Sequence, residues 1–188
     1  MRLFVALDVP EQTRRSLDET IRRFENVCHG ARWMRAESIH ATLKFIGHVD
    51  ETKLPAIKES LAKVKLSGPV EIAFRQFGYF PEERHPRIFW LGIIAGPNLA
   101  ALAAVIASNL ESIGIPREKR DFKPHLTLAR FKTDEGLAKL RQMTASLPHQ
   151  GFGGAVATEF HLYESMLKSD GAVHTKLASY RFVEGATT

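Results

Sequence analysis

The sequence predicts an α+β protein built from two related lobes, on the strength of three observations. Segments with strand character alternate with amphipathic helical segments through the 188 residues. The succession strand, helix, strand occurs in both halves, and each half contains one copy of the phrase His-x-Thr-Leu, at His40 and at His125. No stretch rich in Pro, Gly or Ser separates the halves. We therefore expect a single domain over residues 1–188 made of two intertwined lobes.

The first half of the chain is predicted to contain two strands and two helices. "RLFVALDV" reads as a strand, and Pro10 begins a helix in which Leu17, Ile21 and Phe24 recur at spacings of four and three. "ARWMRAESI" leads into a second strand, "HATLKFIGHV". Residues 51–64 then carry an apolar stripe at helical spacing, formed by Leu54, Ile57, Leu61 and Val64.

The second half begins with a predicted hairpin, in which the polar loop "PEERHP" joins the strands "VEIAFRQFGYF" and "RIFWLGIIA". Pro97 opens a helix that ends near Gly114, "DFKPHLTLARF" is the next strand, and residues 135–147 form a short helix. The remaining sequence predicts two strands, "AVATEFHLYESMLKSD" and "AVHTKLASYRF", around the turn residues "SDG".

Composition favours an ordinary soluble globular protein, with 44% hydrophobic and 25% charged residues. The lone Cys28 excludes an internal disulfide and suits a reducing compartment. The apolar run at the N-terminus is too short for a signal peptide, and "LAALAAVIASNL" is shorter than the roughly 20 residues that span a bilayer. We expect a cytoplasmic protein that does not attach to a membrane.

The net charge of +5 and the pI near 9.5 favour polyanionic partners, of which nucleic acid is the obvious one. Acidic and basic residues are interspersed along the chain, however. Most of the charge runs therefore also fit solvated helix faces.

The two copies of the phrase place imidazole and hydroxyl groups on the same face of a strand. His40 shares a face with Thr42, and His125 with Thr127, because successive side chains of a strand point to opposite faces. The leucine of each copy faces the other way and supplies core. Two such strands, meeting across a pseudo-twofold axis, would present two imidazoles and two hydroxyls to one groove.

This set of groups suits phosphoryl chemistry. A neutral imidazole can take a proton from water while a protonated one donates a proton to a leaving oxygen. The threonine hydroxyls can hydrogen-bond the non-bridging phosphate oxygens and hold the phosphorus between the rings. A single His-x-Thr in a strand is more often a half-buried, hydrogen-bonded histidine than a catalyst. Two copies in matching strand contexts favour the catalytic interpretation.

With these residues the chain resembles the two-histidine (2H) phosphoesterase superfamily, and within it the LigT-like RNA 2′,3′-cyclic phosphodiesterases, also called the 2′-5′ RNA ligase family. The resemblance runs from "MRLFVALDVP" through "RWMRAESIHATLKFIG", "FGYFPEERHPRIFWLG" and "DFKPHLTLARF" to "EFHLYESML". It implies a bilobal α+β fold whose two pseudo-symmetric, antiparallel-rich sheets line a central cleft, with helices on the outside. It also implies hydrolysis of RNA 2′,3′-cyclic phosphate ends to 2′-phosphates without a metal or any other cofactor.

The same resemblance implies a role for each motif residue. His40 would be the proton donor to the departing 3′ oxygen, and His125 the proton acceptor that activates water. Thr42 and Thr127 would hold the phosphate. The partner would be RNA with a 2′,3′-cyclic phosphate terminus. The sequence does not distinguish a tRNA fragment, an oligomer and a nucleotide, and a monomer is the default expectation for a compact bilobal enzyme.

Arg130 is a further phosphate-binding candidate that the resemblance implies. Strand parity places it opposite His125, so a twist or bulge must re-aim it. Lys44 has the parity of His40, but the family does not single it out, and a surface lysine at a strand edge explains it equally well.

Other histidines and aromatic residues carry weaker signals. His174 precedes Thr175 directly, so their side chains face opposite ways and cannot copy the motif. No Cys/His spacing supports a metal site. Core packing explains most of the aromatic side chains, and Tyr79 or Phe80, beside the charged hairpin loop, are the better candidates for stacking on a base.

Two alternatives to cyclic phosphate hydrolysis stay open at the level of sequence. The same site could join RNA ends through 2′-5′ linkages or cleave such linkages, since the reaction is reversible in principle. The cleft could also be a non-catalytic module that binds RNA ends, although binding alone would not need a proton donor and a proton acceptor.

Overall fold

The strands form two sheets in which every pairing is antiparallel, as the computed structural model shows for residues 1–66, 68–147, 151–168 and 171–181. The strands are β1 (Arg2–Leu7), β2 (Ala31–Trp33), β3 (Ala41–His48), β4 (Val70–Phe80), β5 (Ile88–Ala95), β6 (His125–Phe131), β7 (Gly154–Ala157), β8 (Glu159–Lys168) and β9 (Gly171–Arg181). The first sheet has the order β3-β1-β8-β9, and the second sheet has the order β2-β6-β5-β4-β7.

Four α-helices accompany the sheets within the described ranges, which confirms the predicted α+β class. They are α1 (Glu11–Glu25), α2 (Leu54–Ala62), α3 (Pro97–Glu111) and α4 (Leu137–Ser146), with short 3₁₀ turns at Ala36–Ser38 and Glu51–Lys53. The stripe predicted over residues 51–64 therefore begins as a 3₁₀ turn before it becomes α-helical. None of these helices is long and apolar enough to cross a bilayer.

The two halves of the chain exchange strands. β2 comes from the N-terminal half but pairs with β6 in the second sheet, whereas β8 and β9 come from the C-terminal end and complete the first sheet. One hydrophobic core cluster includes Leu3 and Val5 of the first sheet together with Phe74 and Leu91 of the second. The single domain over residues 1–188 stays a prediction, which this shared core supports.

β1 lies between β3 and β8, and both of its faces are buried because each packs in a hydrophobic cluster. Leu3, Val5 and Leu7 point into the main core, while Phe4 and Ala6 point the other way. Phe4 stacks on Tyr163 of β8 with ring centroids 5.2 Å apart. This second face of the first sheet is the floor on which the functional groups described below are placed.

The C-terminal strands differ from the sequence prediction in one respect. The segment predicted as a single strand, "AVATEFHLYESMLKSD", is two strands in different sheets: β7 pairs with β4, and β8 pairs with β1. Strand propensity runs through the whole segment, and only the tertiary partners show that the chain changes sheets at Thr158. The hairpin β8–β9 is present as predicted, and Ser169 and Asp170 of its turn lie outside the described residues.

Candidate active site

A cavity of about 770 Å³ lies between the two sheets. Its wall contains His40 and Thr42 from the first motif and Thr127 and Arg130 from the second. His125 is not part of that wall; it lies on β6 two residues before Thr127, and the alternation of the strand gives both side chains the same face. The structure thus brings four of the five predicted residues onto one surface and places the fifth beside it.

His40 lies immediately before β3 and is 8% exposed. Its Nδ1 is 3.1 Å from the main-chain carbonyl oxygen of Ser38. Because a carbonyl oxygen can only accept a hydrogen bond, this contact places the proton of the neutral ring on Nδ1. Nε2 is then the ring nitrogen that carries no proton.

His125 repeats this arrangement at the start of β6. Its Nδ1 is 2.7 Å from the carbonyl oxygen of Lys123, again the residue two positions earlier. The tautomer is therefore the same as for His40, with Nε2 unprotonated in the neutral ring. Both motifs present an imidazole of fixed orientation, which is the requirement for a proton donor and acceptor pair.

A β-bulge follows the threonine of each motif. The pairing of β3 with β1 skips Leu43, and the pairing of β6 with β5 skips Leu128. The bulge residue and the residue after it are both buried in each strand, so the in–out alternation shifts by one position. As a result Arg130 emerges on the face of Thr127 and lies in the cavity wall. This is the re-aiming that strand parity demanded of Arg130.

The same kind of bulge overturns both sequence interpretations of Lys44. Its side chain is 3% exposed, and its Nζ donates a hydrogen bond to the carbonyl oxygen of Pro116 at 2.8 Å. It therefore neither faces the cleft nor lies on the surface, because the bulge at Leu43 turns it inward. Phe45 takes the position that corresponds to Arg130, and it lies in the cavity wall with 50% of its surface exposed.

Burial controls the charge of both catalytic candidates. Desolvation disfavours the imidazolium form and lowers the pKa of His40 from 6.5 to about 4. Burial also lowers the pKa of His125, and the positive charge of Arg130 lowers it further. Both rings are neutral near pH 7 in the free protein.

His174 belongs to the site, although its own stretch of sequence did not indicate this. Its Nδ1 is 3.4 Å from Nδ1 of His40, and its ring lies in the cavity wall. The pairing of β9 with β8, and of β8 with β1, brings it there. The two histidines are 134 positions apart, so no local motif could have indicated this contact.

Tyr163 packs against the ring of His40 and is itself anchored by Asp8. The two ring centroids are 4.5 Å apart, and the Tyr163 hydroxyl donates a hydrogen bond to the carboxylate of Asp8. Lys176 Nζ donates to the same carboxylate at 2.8 Å. Burial alone would raise the pKa of Asp8, but these two hydrogen bonds hold it below its ordinary value. An ionised carboxylate thus anchors the ring that packs on His40.

The two aromatic residues considered for stacking on a base lie in different surroundings, and their stacking role stays a prediction. Phe80 contacts the His125 ring edge-on, with centroids 5.0 Å apart, and Tyr79 packs against Phe89 at 5.2 Å. Neither ring is part of the cavity wall. Across the described ranges, no group of three or more His, Cys, Asp or Glu side chains is placed to hold a metal ion.

Comparison with known proteins identifies relatives over nearly the whole chain. The family model described as LigT-like phosphoesterase matches residues 7–90 and 94–174. An RNA 2′,3′-cyclic phosphodiesterase from Archaeoglobus fulgidus is 33% identical over 177 residues, covering 94% of this chain and 98% of the relative. One from Thermotoga maritima is 32% identical over 187 residues, covering 98% and 97%.

Solved structures are also similar to this protein over nearly the whole chain. A crystal structure of a Thermus thermophilus protein superposes with a TM-score of 0.78 at 29% identity, covering 97% of this chain and 98% of the other. The structure of E. coli LigT complexed with 3′-AMP also gives a TM-score of 0.78, at 26% identity and with the same coverage of both chains.

Proposed function

Since this chain belongs to the family of LigT-like phosphoesterases, we propose that it hydrolyses RNA 2′,3′-cyclic phosphate ends to 2′-phosphates, without a metal ion. The observation that carries this proposal is the duplicated geometry of the two motifs. In each, the Nδ1 of the histidine lies against the main-chain carbonyl two residues earlier, a threonine follows at the second position, and a bulge follows the threonine. A structural histidine in one strand would not require this repetition in the other.

In the proposed reaction, a water molecule attacks the phosphorus while Nε2 of His125 takes its proton. The bond between phosphorus and O3′ breaks, and the protonated Nε2 of His40 donates its proton to the departing O3′. The products are a ribose 2′-phosphate and a free 3′ hydroxyl. Exchange of one proton with solvent restores each imidazole, so atoms and charges balance.

The remaining residues would hold the phosphate during this step. Thr42 and Thr127 lie in the cavity wall, and their hydroxyls can donate to the non-bridging oxygens. Arg130 lies in the cavity wall with Thr127, and its guanidinium can neutralise negative charge that grows in the transition state. A bound anion also raises the pKa of both histidines, because it stabilises the imidazolium form.

The first test is to incubate the protein and EDTA with an oligoribonucleotide that ends in a 2′,3′-cyclic phosphate, and to follow the phosphorus by NMR. We expect the signal of a 2′-phosphomonoester. A 3′-phosphate would contradict the assignment of His40 to the 3′ oxygen. A joined RNA would indicate 2′-5′ ligation, and an unchanged substrate that still binds would indicate a non-catalytic RNA-end module.

The pH dependence of kcat/KM follows from the burial of the two rings. The free enzyme is active when one imidazole is neutral and the other protonated, and burial lowers the pKa of both, that of His40 to about 4. We therefore expect a bell-shaped profile of kcat/KM with its maximum on the acid side of 6.5, the ordinary value for histidine. The profile of kcat should lie at higher pH, since the bound phosphate raises the pKa of both histidines. A kcat/KM that is flat, or highest above about pH 7, would contradict the two-histidine mechanism.

Unfolding at low pH must be separated from the acid limb of this profile. Each histidine with a lowered pKa binds a proton more readily in the unfolded chain than in the fold, so stability falls as the pH drops below 6.5. Circular dichroism at each pH distinguishes the two causes, because protonation of the base lowers activity while the protein is still folded.

The cellular setting is part of the proposal. The single cysteine, Cys28, is buried and free, which suits a cytoplasmic protein. The substrate would be an RNA end that carries the cyclic phosphate, such as a tRNA fragment, and the active protein would be a monomer, since both motifs come from one chain.

A further inference from the structure

Two arginines lie directly opposite each other at the cleft. Arg32 of β2 and Arg130 of β6 are partners in the antiparallel register, so their side chains share a face. Both are exposed, and both are part of the cavity wall. Like charges in directly opposed positions destabilise a sheet unless something offsets their repulsion. Within the part of the chain that the structure describes, neither arginine has a carboxylate partner that would do so.

The rest of the cavity wall does not neutralise this charge. Leaving Arg35 out of the balance, its described residues include four arginines and two carboxylates, namely Arg2, Arg22, Arg32, Arg130, Asp18 and Glu37. Arg22 and Asp18 are paired with each other at 2.9 Å. The wall therefore carries an excess of positive charge, and an anion with more than one phosphate is the ligand that would balance it.

Arg32 and Arg130 point to different parts of the cleft. Arg130 follows the bulge in β6, the strand that carries the second motif, and lies in the cavity wall together with Thr127. A guanidinium nitrogen of Arg32 lies 3.7 Å from the position of a Cβ atom on Gly171, the first residue of β9 in the first sheet. The side chain of Arg32 thus reaches across the cleft from one sheet to the other, one strand away from the reacting centre.

We propose that Arg32 binds the phosphodiester that joins the terminal nucleotide of the substrate to the nucleotide before it. The proposal rests on the proposed function, in which Arg130 binds the terminal cyclic phosphate. A single RNA strand then places two successive phosphates against the opposed pair, and each guanidinium has an anionic partner. The substrate class is therefore an oligoribonucleotide end rather than a free cyclic mononucleotide, which has no second phosphate.

The test changes one charge on the ligand and one on the protein. The substrates are a dinucleotide with a 2′,3′-cyclic phosphate end, the same dinucleotide with an uncharged methylphosphonate linkage, and a cyclic mononucleotide. We expect the wild type to prefer the charged dinucleotide over the uncharged one by roughly tenfold or more in kcat/KM. Arg32→Ala should remove this preference by lowering kcat/KM for the charged dinucleotide alone. It should also reduce the slope of log affinity against log salt by about 0.7.

A matched variant is Arg15→Ala on α1, where Arg15 is exposed, paired with Glu11 and absent from the cavity wall. It should leave all three rates unchanged. If the wild type treats both dinucleotides alike, or if Arg32→Ala slows all three substrates equally, Arg32 does not bind the second phosphate.

Calorimetry with dinucleotides that end in a 2′-phosphate separates this inference from the proposed function, because it needs no turnover. Tighter binding of the charged linkage, lost in Arg32→Ala, supports the second-phosphate site even if no cyclic phosphate is hydrolysed. Turnover of the cyclic phosphate together with equal binding of both linkages would overturn the site and leave the proposed function standing.

Discussion

Replacing His125 by alanine is expected to lower kcat for a 2′,3′-cyclic phosphate end by roughly 10²- to 10⁴-fold, and His40→Ala is expected to do the same. In the proposed mechanism each variant removes one of the two groups that move a proton, and the other histidine cannot take over both positions. Substrate binding should survive, because Thr42, Thr127 and Arg130 remain on the cavity wall in both variants. Single-turnover rates and equilibrium binding of a 2′-phosphate product measure the two effects separately.

His48→Ala is the matched control for these variants. His48 is the last residue of β3, on the same strand as the first motif, and it is exposed. The control should keep full activity. Substantial activity in His125→Ala would rule out its role as the proton acceptor. A large loss in His48→Ala would mean that histidine replacement on this strand acts through the fold.

The second large loss of activity is expected from replacing Arg130, and a variant of Lys44 serves as the comparison. Strand parity alone assigns Lys44 to the cleft and Arg130 to the opposite face, whereas the bulges at Leu43 and Leu128 reverse both assignments. Arg130→Ala should therefore lower kcat/KM by roughly a hundredfold with little change in stability, because it removes a donor to the charged phosphate. Arg130→Lys should restore part of the loss, since it keeps the charge but not the two-pronged geometry.

Lys44→Met should have the opposite effect, a loss of stability with little change in activity. The methionine fills the space of the lysine stem but leaves the carbonyl oxygen of Pro116 without its donor, so the free energy of unfolding should fall by roughly 1–3 kcal/mol. Activity per folded molecule should be retained. Urea unfolding and kcat/KM on the same preparations decide the matter. An inactive but stable Lys44→Met, beside a fully active Arg130→Ala, would mean that parity rather than the bulge governs these strands.

The two bulges also explain how two copies of one motif can have different surroundings in one cleft. They keep each histidine and threonine on the cleft face while the next residues turn into the core. The position after the bulge then differs between the sheets: Arg130 in the second sheet and Phe45 in the first. The two sheets therefore carry the same histidine and threonine motif but differ in the residue that follows the bulge.

Local sequence determined much of this protein. The α+β class, the hairpin between β4 and β5, the helix that Pro97 opens and the strand settings of His40 and His125 all follow from periodicity and turn residues, which act over a few positions. The pairing of each histidine with a threonine on one face follows from the two-residue repeat of a strand. The prediction that these two motifs meet across a cleft rested on the resemblance to a family and not on local sequence.

Tertiary structure decided the rest, because it depends on which strands become neighbours. The change of sheet between β7 and β8 reflects their different partners rather than any break in strand propensity. His174 approaches His40 only through the pairing of four strands of the first sheet. Arg130 and Lys44 each lie on the face opposite to the one that parity predicts, because the pairing of each strand with its neighbour skips one residue. The sequence of a single strand does not specify its register against a partner strand.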